Sequence, residues 1–345
     1  MNQPRPQILI SGASGFIGAH LVRVLIAKRI QTFQLIRNKD TIPGTESAPG
    51  AHRTGLGSDG EFQYLLWEPQ AIKPIPDLQP IEGITAAIHL SGANVFGHRW
   101  TESYKRDIVG SRVTTTLALV RAFSQLKHPP RVLLCASAIG IYGDRRDETL
   151  TEESLAGQGF LADTCVAWEA AANAAKALGM RVVHLRFGIV LASDGGALRQ
   201  MLPLFRLSLG GKLGSGRQWM SWIALPDLID AVLHLMAVGE GIGVGADENG
   251  AYGHTGETSD PATIEGAVNL VSPHPVRNTE FTAAFGQAIH RPAILPAPAF
   301  ALRLALGERA DAALLASTRV LPQRLIDSGF SFRYPDLASA FQALL

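Results

Sequence analysis

Seven residues near the start of the chain carry its most specific chemistry. Gly12-Ala13-Ser14-Gly15-Phe16-Ile17-Gly18 follows the apolar run Ile8-Leu9-Ile10 and opens a helix-like segment. In a strand–turn–helix setting each glycine has a task. Gly12 makes the tight turn, Gly15 lets the backbone approach a pyrophosphate without a Cβ in the way, and Gly18 lets the helix pack close on the strand. The helix N-terminus then aims unpaired N–H groups and a partial positive charge at the phosphates. Such a turn fits a dinucleotide, with Gly12, Ser14, Gly15, Phe16, Ile17 and Gly18 around it.

The next determinant belongs about 20 residues further on, at the end of the second strand, where an acid would hold the ribose 2′-hydroxyl of NAD. The chain has Arg37-Asn38-Lys39 there, with Asp40 three residues late. A guanidinium suits a 2′-phosphate, so Arg37 and Asn38 favour NADP over NAD. A solvated turn charge is the plainer role for Arg37. After the run Ala86–Leu90 come Ser91, Gly92, Ala93 and Asn94. Small residues there let a cofactor pass close to the backbone, so Leu90, Ser91 and Gly92 join the expected site. Asp107 and Arg112 on the following helix could reach a cofactor hydroxyl or phosphate, and equally could form a surface ion pair.

These residues need a scaffold that brings strand ends together. Apolar runs at Phe33–Ile36, Ala86–Leu90, Val132–Cys135 and Val182–Leu185 alternate with helical patterns at Ala19–Lys28, Glu102–Leu126 and Thr164–Leu178. Continuous apolar strands alternating with helices predict an α/β fold, a Rossmann-type doubly wound parallel sheet with ligand loops along its carboxyl edge. Residues 1–190 are expected to form this domain, with segments near 223–238 and 266–272 returning to it. Residues 191–345 then make a smaller C-terminal substrate lobe, irregular from Asp194 to Gly216 and pocket-like over Gly210–Gly216. Stretches 41–60 and 239–263 read as surface insertions.

Composition excludes several classes. A net charge of +1 gives no pull toward nucleic acid or a membrane surface. The ten histidines are scattered without metal-site spacing, so no metal is expected. Cys135 and Cys165 alone make no disulfide framework. No apolar stretch reaches the ~18 residues of a membrane span and no signal peptide is evident, so a cytoplasmic protein is expected.

A longer set of motifs adds a resemblance. Gly97-His98-Arg99-Trp100-Thr101-Glu102, Gly140-Ile141-Tyr142-Gly143-Asp144, Leu150–Ser154, Trp168-Glu169-Ala170-Ala171, Met201–Arg206, Gly214–Ile223 and Leu321–Leu325 resemble the YfcH-like branch of the epimerase family, within the extended short-chain dehydrogenases/reductases. The GxxGxxG spacing is similar to that group as well. The resemblance spans nearly the whole chain and implies an NADP-type Rossmann domain with a small C-terminal lobe.

Relatives of that group use a strand-end Ser and a helical Tyr-x-x-x-Lys pair. Their phenol, of ordinary pKa about 10, needs the ammonium beside it to act as a base near neutrality. Ser137 matches the Ser. Aligned on Glu169, however, Leu161 stands at the Tyr position and Cys165 at the Lys position, and the chain contains no Tyr-x-x-x-Lys at all. Ser137, Tyr142 and Asp163 remain for acid–base work, with Tyr142 open to a packing role instead. At the position where nucleotide-sugar members carry an Arg this chain has Met220, with Arg217 three residues earlier. Asn94 and Arg217 are therefore the substrate-binding expectations, and a sugar nucleotide is disfavoured. The expected function is an NADP(H)-binding oxidoreductase or epimerase-like protein acting on a small carbonyl or hydroxyl compound. The alternative is a dinucleotide-binding sensor or interaction protein that has lost catalysis. The expected partners are a small-molecule substrate and, as an option, a second copy in a homodimer.

Overall fold

The computed structural model describes residues 6–37, 62–71, 73–238 and 264–345. The expected insertions 41–60 and 239–263, together with Asn38 and Asp40, lie outside the described residues. Seven strands form the central sheet: β1 (Gln7–Ser11), β2 (Gln31–Ile36), β3 (Phe62–Leu66), β4 (Ala86–His89), β5 (Val132–Ala138), β6 (Arg181–Phe187) and β7 (Gly266–Leu270). Their spatial order is β7-β6-β5-β4-β1-β2-β3, and every pairing is parallel. This is a Rossmann-type doubly wound sheet, in which chain order reverses between β1 and β4 and opens a crevice at the carboxyl edge.

The apolar runs are continuous because both faces of the sheet are covered. On one face pack α1 (Phe16–Ala27) and α5 (Leu225–Ala237), through Leu21, Leu25, Leu228 and Val232 against Ile8, Ile10 and Leu134. On the other pack α2 (Glu102–Phe123) and α3 (Phe160–Asn173), through Leu119, Phe123, Trp168 and Ala172 against Leu9, Ala87 and Leu133. A smaller third core holds Leu198, Phe205, Trp222, Phe281, Phe285 and Phe341. It joins α4 (Gly196–Arg206), α6 (Asn278–Ala288) and the C-terminal helix α7 (Leu337–Leu344).

Two local readings change. Residues 194–216 were expected to be irregular, yet α4 lies inside them. Its buried side of Leu198, Met201, Leu202 and Phe205 has helical i, i+3, i+4, i+7 spacing, and this outweighs Pro203 near its end. Phe62–Leu66 adds an edge strand beside β2 that its mixed Phe-Gln-Tyr-Leu-Leu pattern does not announce. No described helix is long and apolar enough to cross a membrane.

The carboxyl ends of β5, β6 and β7 are tied by a buried polar seam. Arg186 of β6 donates through Nε and Nη2 to Glu169 of α3, at 2.8 and 2.9 Å. Its Nη1 donates to the Tyr142 hydroxyl at 2.8 Å. That hydroxyl faces Asn269 Oδ1 of β7 at 2.8 Å and the Thr151 carbonyl at 3.0 Å. Glu152 closes the seam by accepting from the Asn269 backbone N–H at 2.9 Å. Tyr142→Phe keeps the ring but strands the Arg186 Nη1 donor and the Asn269 Oδ1 acceptor. It is expected to cost about 1–3 kcal/mol of stability. Urea unfolding should show a lower midpoint at unchanged slope; an unchanged midpoint would show that the hydroxyl contributes nothing to the seam.

Candidate functional site

The carboxyl-edge loops meet around one cavity of about 610 Å³. Gly12, Gly15, Phe16, Ile17 and Gly18 line one end. Leu90, Gly92 and Asn94 follow from the loop after β4, and Ser137 to Gly140 from the end of β5. Arg112 of α2 and Leu161, Cys165 and Trp168 of α3 form one wall. The smaller lobe supplies Leu213, Trp219, Met220 and a stretch from Ala312 to Thr318.

The glycine turn is built as the spacing implies. Gly12 has φ +74, and a Cβ there would lie 2.7 Å from the Leu90 carbonyl carbon, so the turn presses on the end of β4. A Cβ on Gly18 would lie 2.2 Å from the Gly12 oxygen, so α1 starts in contact with the turn. Gly15 differs. Its backbone is extended, and a Cβ would meet only the Gly12 oxygen, at 3.2 Å. That one backbone contact is close, and the rest of that side is open. The start of α1 has no side-chain cap and no acidic residue in its first turn, so its leading N–H groups are left for an anion.

The other expected cofactor residues divide. Leu90 and Gly92 line the cavity; Ser91 is half-buried beside them. Ser14 is exposed at the turn. Arg37 stands exposed just beyond β2, on the same carboxyl edge as the glycine turn. Arg112 lines the cavity, with its guanidinium over the Trp168 ring at 5.1 Å. It donates to the Ala93 carbonyl at 3.0 Å and the Ile108 carbonyl at 3.1 Å. Asp107 is corrected: it lies on the exposed face of α2 while Ile108 and Arg112 face inward, so helical phase takes it away from the cavity.

The chemistry-bearing residues divide as well. Ser137 is 2% exposed, lines the cavity and donates to Glu169 Oε1 at 2.7 Å. Burial raises the Glu169 pKa, but the Arg186 hydrogen bonds outweigh it and hold the carboxyl below its usual range. Tyr142 is corrected: it is fully buried and its hydroxyl is spent on Arg186, Asn269 and Thr151, away from the cavity. Asp163 is exposed, on the outward side of α3, and does not line the cavity. Leu161 and Cys165 share the cavity wall with Ser137. Burial pushes the Cys165 thiol up to about 11, so near neutrality it is a protonated, weakly polar group.

The substrate expectations fare similarly. Asn94 lines the cavity, though its Oδ1 already accepts from the Phe96 N–H at 2.9 Å. Arg217 is corrected: it is exposed outside the cavity, beside Asp147, and Met220 faces inward instead. Among the described residues no three His, Cys, Asp or Glu side chains are grouped to hold a metal. Sequence reasoning used Glu169 only as an alignment anchor and passed over Arg186. The available signal was a charged residue breaking the apolar run Val182–Phe187.

Comparison with known proteins places this geometry. Residues 8–247 match the model of the NAD dependent epimerase/dehydratase family, and residues 297–344 match a domain of unknown function, DUF1731. A Mycobacterium bovis relative, "Epimerase family protein Mb2239", is 35% identical over 333 residues, covering 96% of this chain and 95% of its own. The crystal structure of the human epimerase family protein SDR39U1 (isoform 2) with NADPH has a TM-score of 0.76 at 28% identity and covers 98% of both chains. UDP-glucuronic acid 4-epimerase from Bacillus cereus, in complex with UDP-glucuronic acid and NAD, shares the fold at 15% identity and TM-score 0.68, covering 98% of this chain and 97% of its own. On the family match and the whole-length relatives together, the chain belongs to the NAD-dependent epimerase/dehydratase family.

Proposed function

We propose that the chain is an NADP(H)-dependent oxidoreductase of this family acting on a small hydroxyl or carbonyl compound. The observation that carries the reading is Gly15. It is the glycine of the turn with the least protein around its missing Cβ, a single backbone oxygen at 3.2 Å, and it lines the same cavity as Ser137. The residues fit the cofactor: backbone N–H groups of the α1 start for the pyrophosphate, Arg37 for a 2′-phosphate, Gly92 for close passage. NADPH in the human relative's structure supports the phosphorylated form. When bound, the cofactor supplies hydride chemistry. Ser137 then holds the reacting oxygen, and the Leu161 and Cys165 wall excludes water.

No lysine-activated phenol assists, since neither Leu161 nor a protonated Cys165 can serve as base. That observation also favours a second reading, a dinucleotide-binding sensor with little turnover.

NADPH is expected to bind about tenfold to a hundredfold more tightly than NADH, the size of one charge-assisted hydrogen bond. Fluorescence titration of Arg37→Ala should erase most of the preference, and equal affinities in the unmodified protein would refute the assignment. Gly15→Val should leave circular dichroism intact and abolish binding, because the side chain enters the cradle. Loss of the Tyr/Lys pair removes general acid–base help typically worth about 10²–10⁴-fold. Leu161→Tyr combined with Cys165→Lys should therefore raise slow reduction of test carbonyls by a large factor. No gain from a folded, NADPH-binding double variant would favour the sensor.

A further inference from the structure

Two features of the cavity bear on what reacts there. The first is the polarity of Ser137. Its hydroxyl has one proton, and that proton is committed to Glu169 Oε1 at 2.7 Å. The roles cannot swap. Arg186 donates to both Glu169 oxygens, at 2.8 and 2.9 Å, and an ionised carboxylate has no proton to give. Arg186 is pinned in turn, with Nη1 on the Tyr142 hydroxyl and its guanidinium carbon over the Tyr142 ring at 5.2 Å. Ser137 therefore presents only lone pairs to the cavity. A bound molecule must donate to it, which an alcohol O–H does and a ketone oxygen cannot.

The second feature is the wall beyond Ser137. Val95, Phe96, Trp219, Met220, Ala313 and Leu314 line it. Among the described residues, Arg112 is the only charged residue lining the cavity, and it is engaged with Ala93, Ile108 and Trp168. Arg277 and Arg319 stack on the Trp219 ring at 4.2 and 4.5 Å, but neither lines the cavity. A diphosphate or carboxylate on this side would lose its hydration without gaining a counter-charge.

We propose that the cavity takes an uncharged, largely apolar alcohol whose hydroxyl donates to Ser137 Oγ, with Glu169 as the positioning residue that makes Ser137 an acceptor. This rests on the cofactor reading above.

The test uses the full chain saturated with NADP⁺ and isothermal titration calorimetry. Two inert probes serve: 2-phenyl-2-propanol, which has no hydrogen to lose as hydride, and acetophenone, which has no reductant to meet. The alcohol is expected to bind about tenfold more tightly, one hydrogen bond's worth. Ser137→Ala should erase that gap while leaving NADP⁺ affinity within about twofold, and UDP-glucose should not displace the alcohol. Equal or tighter binding of the ketone, no measurable binding of the alcohol, or displacement by UDP-glucose would each overturn the substrate class. A Ser137→Ala protein that loses NADP⁺ affinity but keeps the gap would assign Ser137 to the cofactor's own amide and overturn it too. Failure of NADP⁺ to bind the unmodified protein would instead sink the cofactor reading itself.

Discussion

A guanidinium among three strand ends must have its donors satisfied, and Arg186 sets the arrangement that does so. It rises from β6, takes Glu169 from α3 with two hydrogen bonds and the Tyr142 hydroxyl with a third. Tyr142 carries the link to Asn269 of β7, and Glu169 carries it to Ser137 of β5. Breaking a buried pair by removing one partner typically costs about 3–5 kcal/mol, because the other charge is left behind uncompensated. The seam therefore does two things at once. It locks the late strands together at the carboxyl edge of the sheet, and it settles which way the Ser137 hydroxyl points.

The same economy holds on the α3 wall of the cavity. Leu161 and Cys165 sit on the cavity wall and give it apolar surface without charge. An ammonium there would have needed a partner; a thiol whose pKa burial lifts to about 11 needs none. On the smaller lobe Met220 faces inward, and the nearby Arg277 and Arg319 are turned onto Trp219, with Arg277 also paired to Asp147.

Local chemistry made much of this legible in the sequence. The order of apolar runs and helical patterns determined a doubly wound parallel sheet, since strands covered on both faces cannot alternate polar and apolar residues. Gly12 and Gly18 were legible from spacing, because a tight turn and a close helix contact each forbid a Cβ in a specific place. The motifs carrying the family resemblance are also local, and Ser137, Leu161 and Cys165, which they single out, line one cavity.

Other assignments depended on contacts between distant segments, and those only the tertiary structure decided. Tyr142 follows Ser137 by five residues, yet Arg186 and Asn269, 44 and 127 positions away, draw its hydroxyl out of the cavity. Asp107 and Arg112 look equivalent in the sequence, and the phase of α2 turns one to solvent and the other inward. Arg217 is close to Met220 in the chain, but it is Met220 that faces the cavity. Glu169 carried no functional signal until the fold set it 2.7 Å from Ser137. Spacing along a strand or helix is short-range geometry that residue types encode directly. The direction of a hydrogen bond across a sheet edge depends on every partner that arrives there.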